Sequence, residues 1–387
     1  MTYNFDKITD RTGTDSLKFD FARERKKPEG LLPMWVADMD FPTAPEILEE
    51  LQKTVAHGIF GYTEAKSDYY EAVSRWFSER YGFTAERPAI VKSPGVVFAL
   101  AQTVRAFTRE GDAVLIQPPV YYPFFEVVRD NNRKLIEAPL VYSGGAYSID
   151  FAEFERKITE NAVKLFLLCS PHNPVGRVWT EGELRQLSDI CKRHNVIVVS
   201  DEIHCDFTFG DTRHICFGTI DDDAVIATAP SKTFNLAGLQ VSNIFIKNAD
   251  LRRKFRDELD RSGYSQLNTV GLAACRAAYE KGGEWLSALL SYLKGNIDYA
   301  ESFIAARLPK LTLVHPEGTY LLWLDFSRLG LTQDELDARI VQGAKLWLDS
   351  GPMFGETGAG FQRINAACPR SVLNDALIRL EKEFSGD

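Results

Sequence analysis

Between Ala113 and Ile246 the chain repeats one pattern: a short apolar run, a turn, then a stretch with helical spacing and a capped start. The runs at Ala113 to Gln117, Val163 to Cys169, Val196 to Val199, Ala224 to Ala229 and Val241 to Ile246 are too short for helices. They also lack polar alternation, so they read as strands buried on both faces. Thr180 with Glu183 spells a capping box, and Asp150 with Glu153 resembles one for a helix running through Ile158. Strands alternating with helices predict an α/β fold whose mostly parallel central sheet is covered by helices. Such sheets gather ligands at the carboxyl ends of their strands. Asn173, Asp201 and Lys232 each follow the end of an apolar run, so residues far apart in the chain are expected to converge there.

The flanks are organised differently. Leu31 to Pro42 is apolar but studded with prolines and acids, which suits an extended arm rather than a helix. Ile47, Leu48, Leu51 and Val55 share one helical face, as do Tyr69, Val73, Trp76, Phe77 and Arg80 after a start at Ser67, with a loop at Gly58 to Thr63 between them. Ala89 to Val91 reads as a strand leading through Ser93-Pro94-Gly95 into a helix that carries Val97, Leu100, Val104 and Phe107 on one face. Later come a charged helix at Asp250 to Arg261 and a long helix at Gly283 to Leu308. Strands follow at Leu311 to Val314 and Thr319 to Phe326, then a helix capped by Thr332 and Glu335, a strand at Phe361 to Ala366 and a last helix ending near Phe384. The long helix carries the chain out of a large domain, 46–289, into a small one built from both ends, 1–45 and 290–387.

Bulk properties exclude several classes of function. A net charge of −9 argues against a nucleic-acid partner. No segment has the apolar length of a membrane span, and Met1 to Asp6 does not open a secretion signal. The 6 cysteines are scattered without a paired spacing, which fits a reducing cytoplasm. Neither the dinucleotide glycine fingerprint nor the phosphate-loop motif occurs.

The strand-end residues suggest chemistry. Burial lowers the pKa of an ammonium group, so a lysine just past a buried strand can be a neutral amine and condense with a carbonyl. A glycine before a helix start, here Gly95 before Val96 and Val97, lets amides point at an anion, although an ordinary strand–helix turn reads the same. Pro118 to Pro123 is a proline-stiffened turn whose Tyr121 is either an aromatic plug or a flat support for a ring. Arg363, in a late apolar strand, needs a partner: either a protein acid or a substrate carboxylate held by two hydrogen bonds.

With Asn173-Pro174, Asp201-Glu202 and Ser231-Lys232 in this order, the chain resembles the fold-type I pyridoxal-phosphate enzymes of the aminotransferase class I/II group. Within that group it looks most like the MalY/PatB carbon–sulfur β-lyases, the cystathionine β-lyase-like subgroup. The resemblance implies pyridoxal 5'-phosphate as cofactor. Lys232 would hold its aldehyde, Asp201 its ring nitrogen, Asn173 its ring 3-oxygen and Tyr121 its ring face. Gly95, Val96, Val97 and Ser231 would hold the phosphate, with Tyr62 reaching across a homodimer interface from the partner subunit. Ala37 and Arg363, with Asn173, would bind the substrate carboxylate. The implied activity is α,β-elimination of L-cystathionine or a related cysteine S-conjugate, a small amino acid with a Cβ–S bond, to a thiol, pyruvate and ammonia.

Two departures qualify this. Gln240 stands where many relatives have a phosphate-binding arginine, and Ala229 where many have serine. His204 replaces the tyrosine common in aminotransferases, a feature of the β-lyase subgroup, where it would sit beside the cofactor; as a lone histidine it is also compatible with a structural role. Competing readings are an aminotransferase of the same fold, a regulatory protein that only binds the cofactor, and a zinc site built from His204, Cys205, His214 and Cys216.

Overall fold

The computed structural model describes residues 3–386. Met1 and Thr2, read above with the secretion-signal stretch, and the domain bounds at 1 and 387 lie outside the described residues. The apolar runs become a seven-stranded sheet. Its spatial order is Ile90–Ser93, Ser242–Ile246, Val225–Thr228, Ile197–Asp201, Leu165–Cys169, Ala113–Ile116 and Lys134–Glu137. Only Ser242–Ile246 runs against its neighbours, so the sheet is mixed but largely parallel. The four strands from Ala113–Ile116 to Val225–Thr228 pair side by side in parallel, with Cys169 opposite Asp201 and Asp201 opposite Ala227. That register brings three carboxyl ends level.

The sheet also contains a reversal. From Ala113–Ile116 the chain moves outward to Lys134–Glu137, then returns to Leu165–Cys169 on the other side and continues in the opposite direction. A crevice opens outside the strand ends at such a point. Tyr121 follows one bordering strand and Asn173 the other, and the Tyr121 amide donates to the Asn173 carbonyl at 3.0 Å.

Local signals explain the helix starts. Thr180 with Glu183 and Thr332 with Glu335 form reciprocal capping boxes. Asp150 makes only half of one: its side chain accepts from the Glu153 amide. Several boundaries differ from expectation. Ala89 lies in a short 3-10 turn and its strand is Ile90–Ser93. Thr319, at φ +66°, cannot extend the strand, which is Leu321–Asp325. Helices at Pro123–Arg129 and Thr269–Lys281 have no counterpart in the sequence reading.

A second sheet of four antiparallel strands follows the long helix Gly283–Arg307. In it Arg363 is opposite Trp323 on one side and Asp349 on the other. The N-terminal arm is extended as expected. Leu32–Pro33 pairs with Leu346–Trp347, and the Trp35 ring stacks on Trp347 at 4.5 Å. Asn365 donates to the Val36 carbonyl at 2.6 Å, while Asn235, just beyond Lys232, donates to the carbonyls of Met39 and Phe41 at 2.9 Å. The arm is thereby tied to the small sheet and to the lysine segment. Among the described residues, no helix is long and apolar enough to cross a membrane.

Candidate active site

Above the strand ends lies a cavity of about 280 Å³. Asp201, Lys232, Asn173, Tyr121, His204 and Ala37 all line it. The parallel register levels the strand ends that carry Asn173, Asp201 and Lys232, and the N-terminal arm brings Ala37 to them.

Asp201 closes its strand and is buried, 4% exposed. One carboxylate oxygen accepts from the Ile203 amide at 3.0 Å, and the other has no protein partner among the described residues. Burial pushes its pKa up to about 7, against the pull of the Ile203 amide and Lys232. A cation placed against the free oxygen would hold this group ionised.

Lys232 sits in the short helix Pro230–Thr233 and is partly open to the cavity. Desolvation pushes its pKa down to about 8; Asp38 and Asp201 oppose the drop and Arg363 adds to it. Its amine donates to the Ala37 carbonyl at 2.7 Å. The segment is anchored from behind by Thr233, whose hydroxyl donates to the buried Asp206 at 2.7 Å. Asp206 also accepts from Trp76 and Tyr81, at 3.2 and 2.5 Å.

The same cavity is bordered by a glycine-led helix start. Gly95, at φ +100°, caps the helix Val96–Phe107, and Val96, Val97 and Ser231 share the cavity wall. A methyl group on Gly95 would stand 3.5 Å from the Gln240 carboxamide oxygen. Gln240 therefore occupies the rim where the sequence reading noted a missing arginine. The helix amides, the Ser231 hydroxyl and the helix dipole at this rim suit an anion.

His204 is buried, and burial, with the charges of Lys232 and Arg363, holds its pKa well below the usual range. It is neutral, its Nδ1 has no hydrogen-bond partner among the described residues, and its ring meets Tyr320 edge-on at 5.9 Å. His214, in contrast, bonds Glu202 at 2.8 Å. Cys205 and Cys216 also lie near Glu202, yet among the described residues no cluster of three or more His, Cys, Asp or Glu side chains is arranged to hold a metal.

Arg363 is buried but does not line the cavity; it stands one hydrogen bond behind it, donating to the Asn173 side-chain oxygen at 2.9 Å. It also donates to the Trp35 carbonyl at 2.9 Å and forms a buried ion pair with Asp349. Of the two partners weighed for this arginine, a protein acid is thus present. Tyr62 is fully exposed and does not reach the cavity of its own chain.

Sequence reasoning missed Asp349 and Tyr320. The Tyr320 hydroxyl donates to the same Ala37 carbonyl at 2.9 Å. Neither residue belongs to a motif: strand pairing sets Asp349 opposite Arg363, and Tyr320 directly precedes the strand Leu321–Asp325.

An amine with a depressed pKa, a buried carboxylate with a free oxygen, an aromatic face and a glycine-capped helix start, all on one cavity, fit pyridoxal 5'-phosphate. The comparisons agree. The model of the aminotransferase class I and II family matches residues 31–380. Cystathionine beta-lyase PatB of Bacillus subtilis is 44% identical over 386 residues, 99% of this chain and 100% of that protein. Cystalysin from Treponema denticola, whose structure contains a pyridoxal 5'-phosphate cofactor, superposes with a TM-score of 0.95 at 37% identity, covering 99% of each chain. The PLP-bound C-S lyase from Staphylococcus hominis gives 0.93 at 34% identity, covering 99% of this chain and 98% of that one. A chain matched over this length belongs to the aminotransferase class I and II family and is a pyridoxal 5'-phosphate enzyme.

Proposed function

We propose that the protein is a carbon–sulfur β-lyase that cleaves L-cystathionine or a related cysteine S-conjugate to a thiol, pyruvate and ammonia. The observation that carries this reading is the amine of Lys232, half neutral near pH 8, on the same cavity as the buried Asp201. Relatives named as cystathionine beta-lyase and C-S lyase supply the reaction class.

Lys232 would hold the cofactor aldehyde, Asp201 the ring nitrogen, Asn173 the ring 3-oxygen and Tyr121 the ring face. The neutral ring of His204 lies beside them. Gly95, Val96, Val97 and Ser231 would hold the phosphate. When bound, pyridoxal 5'-phosphate supplies an electron sink for the pair left on the substrate Cα. Every other step falls to side chains of this protein. Arg363 and the amide nitrogen of Asn173, beside Ala37, orient the substrate carboxylate. The neutral amine of Lys232 takes the Cα proton. The Cβ–S bond breaks, the thiolate takes a proton as it leaves, and water completes the conversion to pyruvate and ammonia. His204 cannot serve as a cationic acid here, because burial, with the charges of Lys232 and Arg363, keeps it neutral.

The reading extends to assembly. Ile59, Phe60 and Tyr62 are 71%, 59% and 101% exposed on one loop, which supports burial in a homodimer interface with Tyr62 reaching the partner's phosphate site. The two sheets support the division into a large domain, 46–289, and a small one from both chain ends. All six cysteines are buried and unpaired, which suits the cytoplasm.

Holoenzyme incubated with cystathionine alone should release pyruvate and thiol in equal amounts. Product formation only after a keto acid is added would replace the lyase with an aminotransferase. An intact cofactor spectrum without turnover in either assay would leave a regulatory protein.

A further inference from the structure

Arg363 carries five N–H bonds. One Nη1 hydrogen is donated to Asn173, and both Nη2 hydrogens are taken, by the Trp35 carbonyl and by Asp349. The Nε–H is buried and has no partner among the described residues. A carboxylate held by two parallel bonds needs two adjacent hydrogens, and on the Nη1–Nη2 edge only one Nη1 hydrogen remains. Asp349 therefore occupies part of the surface that a substrate carboxylate has to use.

The pair is built in. Asp349 and Arg363 are directly opposed across antiparallel strands, and both are buried, 4% and 2% exposed. The guanidinium lies over the Phe354 ring at 4.8 Å, which fixes its plane. Tyr121, Tyr122, Arg25 and Lys27 also lie within electrostatic reach of the Asp349 carboxylate. A second carboxylate arriving at Arg363 thus meets a like charge across a single guanidinium, in a place where water screens it little.

We infer that Asp349 is a resident competitor for Arg363: by sharing the guanidinium it weakens the hold on carboxylates and makes it specificity-determining rather than uniformly tight. The inference rests on Arg363 as the carboxylate clamp. The consequence is selectivity against monocarboxylates that lack other anchors, including the keto acid product, which is released quickly. An amino-acid substrate, anchored also through its amine, tolerates the weakened clamp.

The test uses holoenzymes. Asp349→Asn keeps the shape and a hydrogen-bond acceptor but removes the charge. The competitive inhibition constant for propionate should fall on the order of tenfold and KM for a cysteine S-conjugate by a clearly smaller factor, with kcat moving much less. Asp349→Ser serves as a second variant with a smaller polar side chain. A merely structural role predicts the opposite sign, a raised KM. Unchanged or raised constants in a variant with the wild-type cofactor spectrum would overturn the inference, as would failure of both variants to fold. Arg363→Lys separates the two layers. If it leaves KM unchanged, the clamp itself is wrong. If it raises KM a hundredfold while Asp349→Asn lowers nothing, only the competitor role fails.

Discussion

The amine of Lys232 and the backbone carbonyl of Ala37 are 2.7 Å apart, a hydrogen bond between residues separated by 195 positions. Tyr320 donates to the same carbonyl at 2.9 Å. The N-terminal arm is thus part of the lysine's electrostatic setting, and Asp38, one residue on, opposes the desolvation that lowers the lysine pKa to about 8. Cofactor capture needs the neutral amine. The rate of cofactor uptake by cofactor-free protein should rise with pH and level off above about 8. Asp38→Asn removes a stabiliser of the ammonium, so the profile should move to lower pH. Stopped-flow absorbance measures both; a flat profile between pH 6 and pH 9 would remove the amine from this role.

Lys232→Ala takes away the side chain proposed as both covalent anchor and base. The kcat for pyruvate release should fall by about 10⁴-fold or more. Borohydride should no longer fix the cofactor to the chain, whereas in the wild type mass spectrometry should locate it on the peptide containing Lys232.

Asp201 behaves differently in the cofactor-free protein, where burial raises its pKa to about 7 from an unfolded value near 3.8. Between those values the folded state keeps a proton that the unfolded state has released, so stability falls as pH rises through that window and then flattens. Asp201→Asn cannot titrate. It should therefore gain stability relative to wild type by roughly a few kcal/mol between pH 4 and pH 8. In the holoenzyme the same change should lower kcat by about 10²-fold or more, because the carboxylate proposed to face the ring nitrogen is gone. Urea melts at several pH values and pyruvate release check the two halves separately.

What was legible in the sequence follows from local rules. Asn173, Asp201 and Lys232 could be placed together because each sits at the end of a buried strand, and parallel register levels such ends. Helix starts at Thr180 and Thr332 were readable because a capping box is spelled within four residues. The helix Thr269–Lys281 escaped notice because its buried face is largely alanine and glycine, which leaves little apolar contrast. Pro123–Arg129 was hidden behind a proline and two tyrosines that read as a turn. Asp349 was invisible for another reason. Its partnership with Arg363 is set by the register of two strands, and no local pattern encodes that.

Gly95 tests the proposed anion cradle. Its φ of +100° is one that side chains rarely adopt, so Gly95→Ala should destabilise the helix start by about 1–2 kcal/mol. The new methyl would face the Gln240 oxygen at 3.5 Å, an ordinary contact, so the cost is backbone strain rather than a clash. Relaxing that strain should turn the first amides of the helix away from the proposed phosphate site. Cofactor affinity should drop about tenfold while kcat at saturating cofactor changes less, measured by fluorescence titration.

The last prediction concerns what holds the arm in place. Lys18 is fully buried and its amine donates to both oxygens of Asp40, at 2.9 and 2.8 Å. Arg11 bridges Asp40 at 2.8 Å and Asp38 at 2.6 Å. The two halves of the Lys18–Asp40 pair are not equivalent. Lys18→Met leaves Asp40 still paired with Arg11 and fills the space with an apolar chain, so it should cost little. Asp40→Asn leaves a buried ammonium without a counter-ion, since the described residues offer the Lys18 amine no other hydrogen-bond acceptor. It should cost about 3–5 kcal/mol in urea unfolding. Because Asp40 follows Ala37 by three residues on the same extended arm, Asp40→Asn should also release the Ala37 carbonyl from Lys232 and shift the pH profile of cofactor uptake. Equal losses from the two substitutions would mean that the arm is held by packing, with Trp35 on Trp347 as its anchor, rather than by charge.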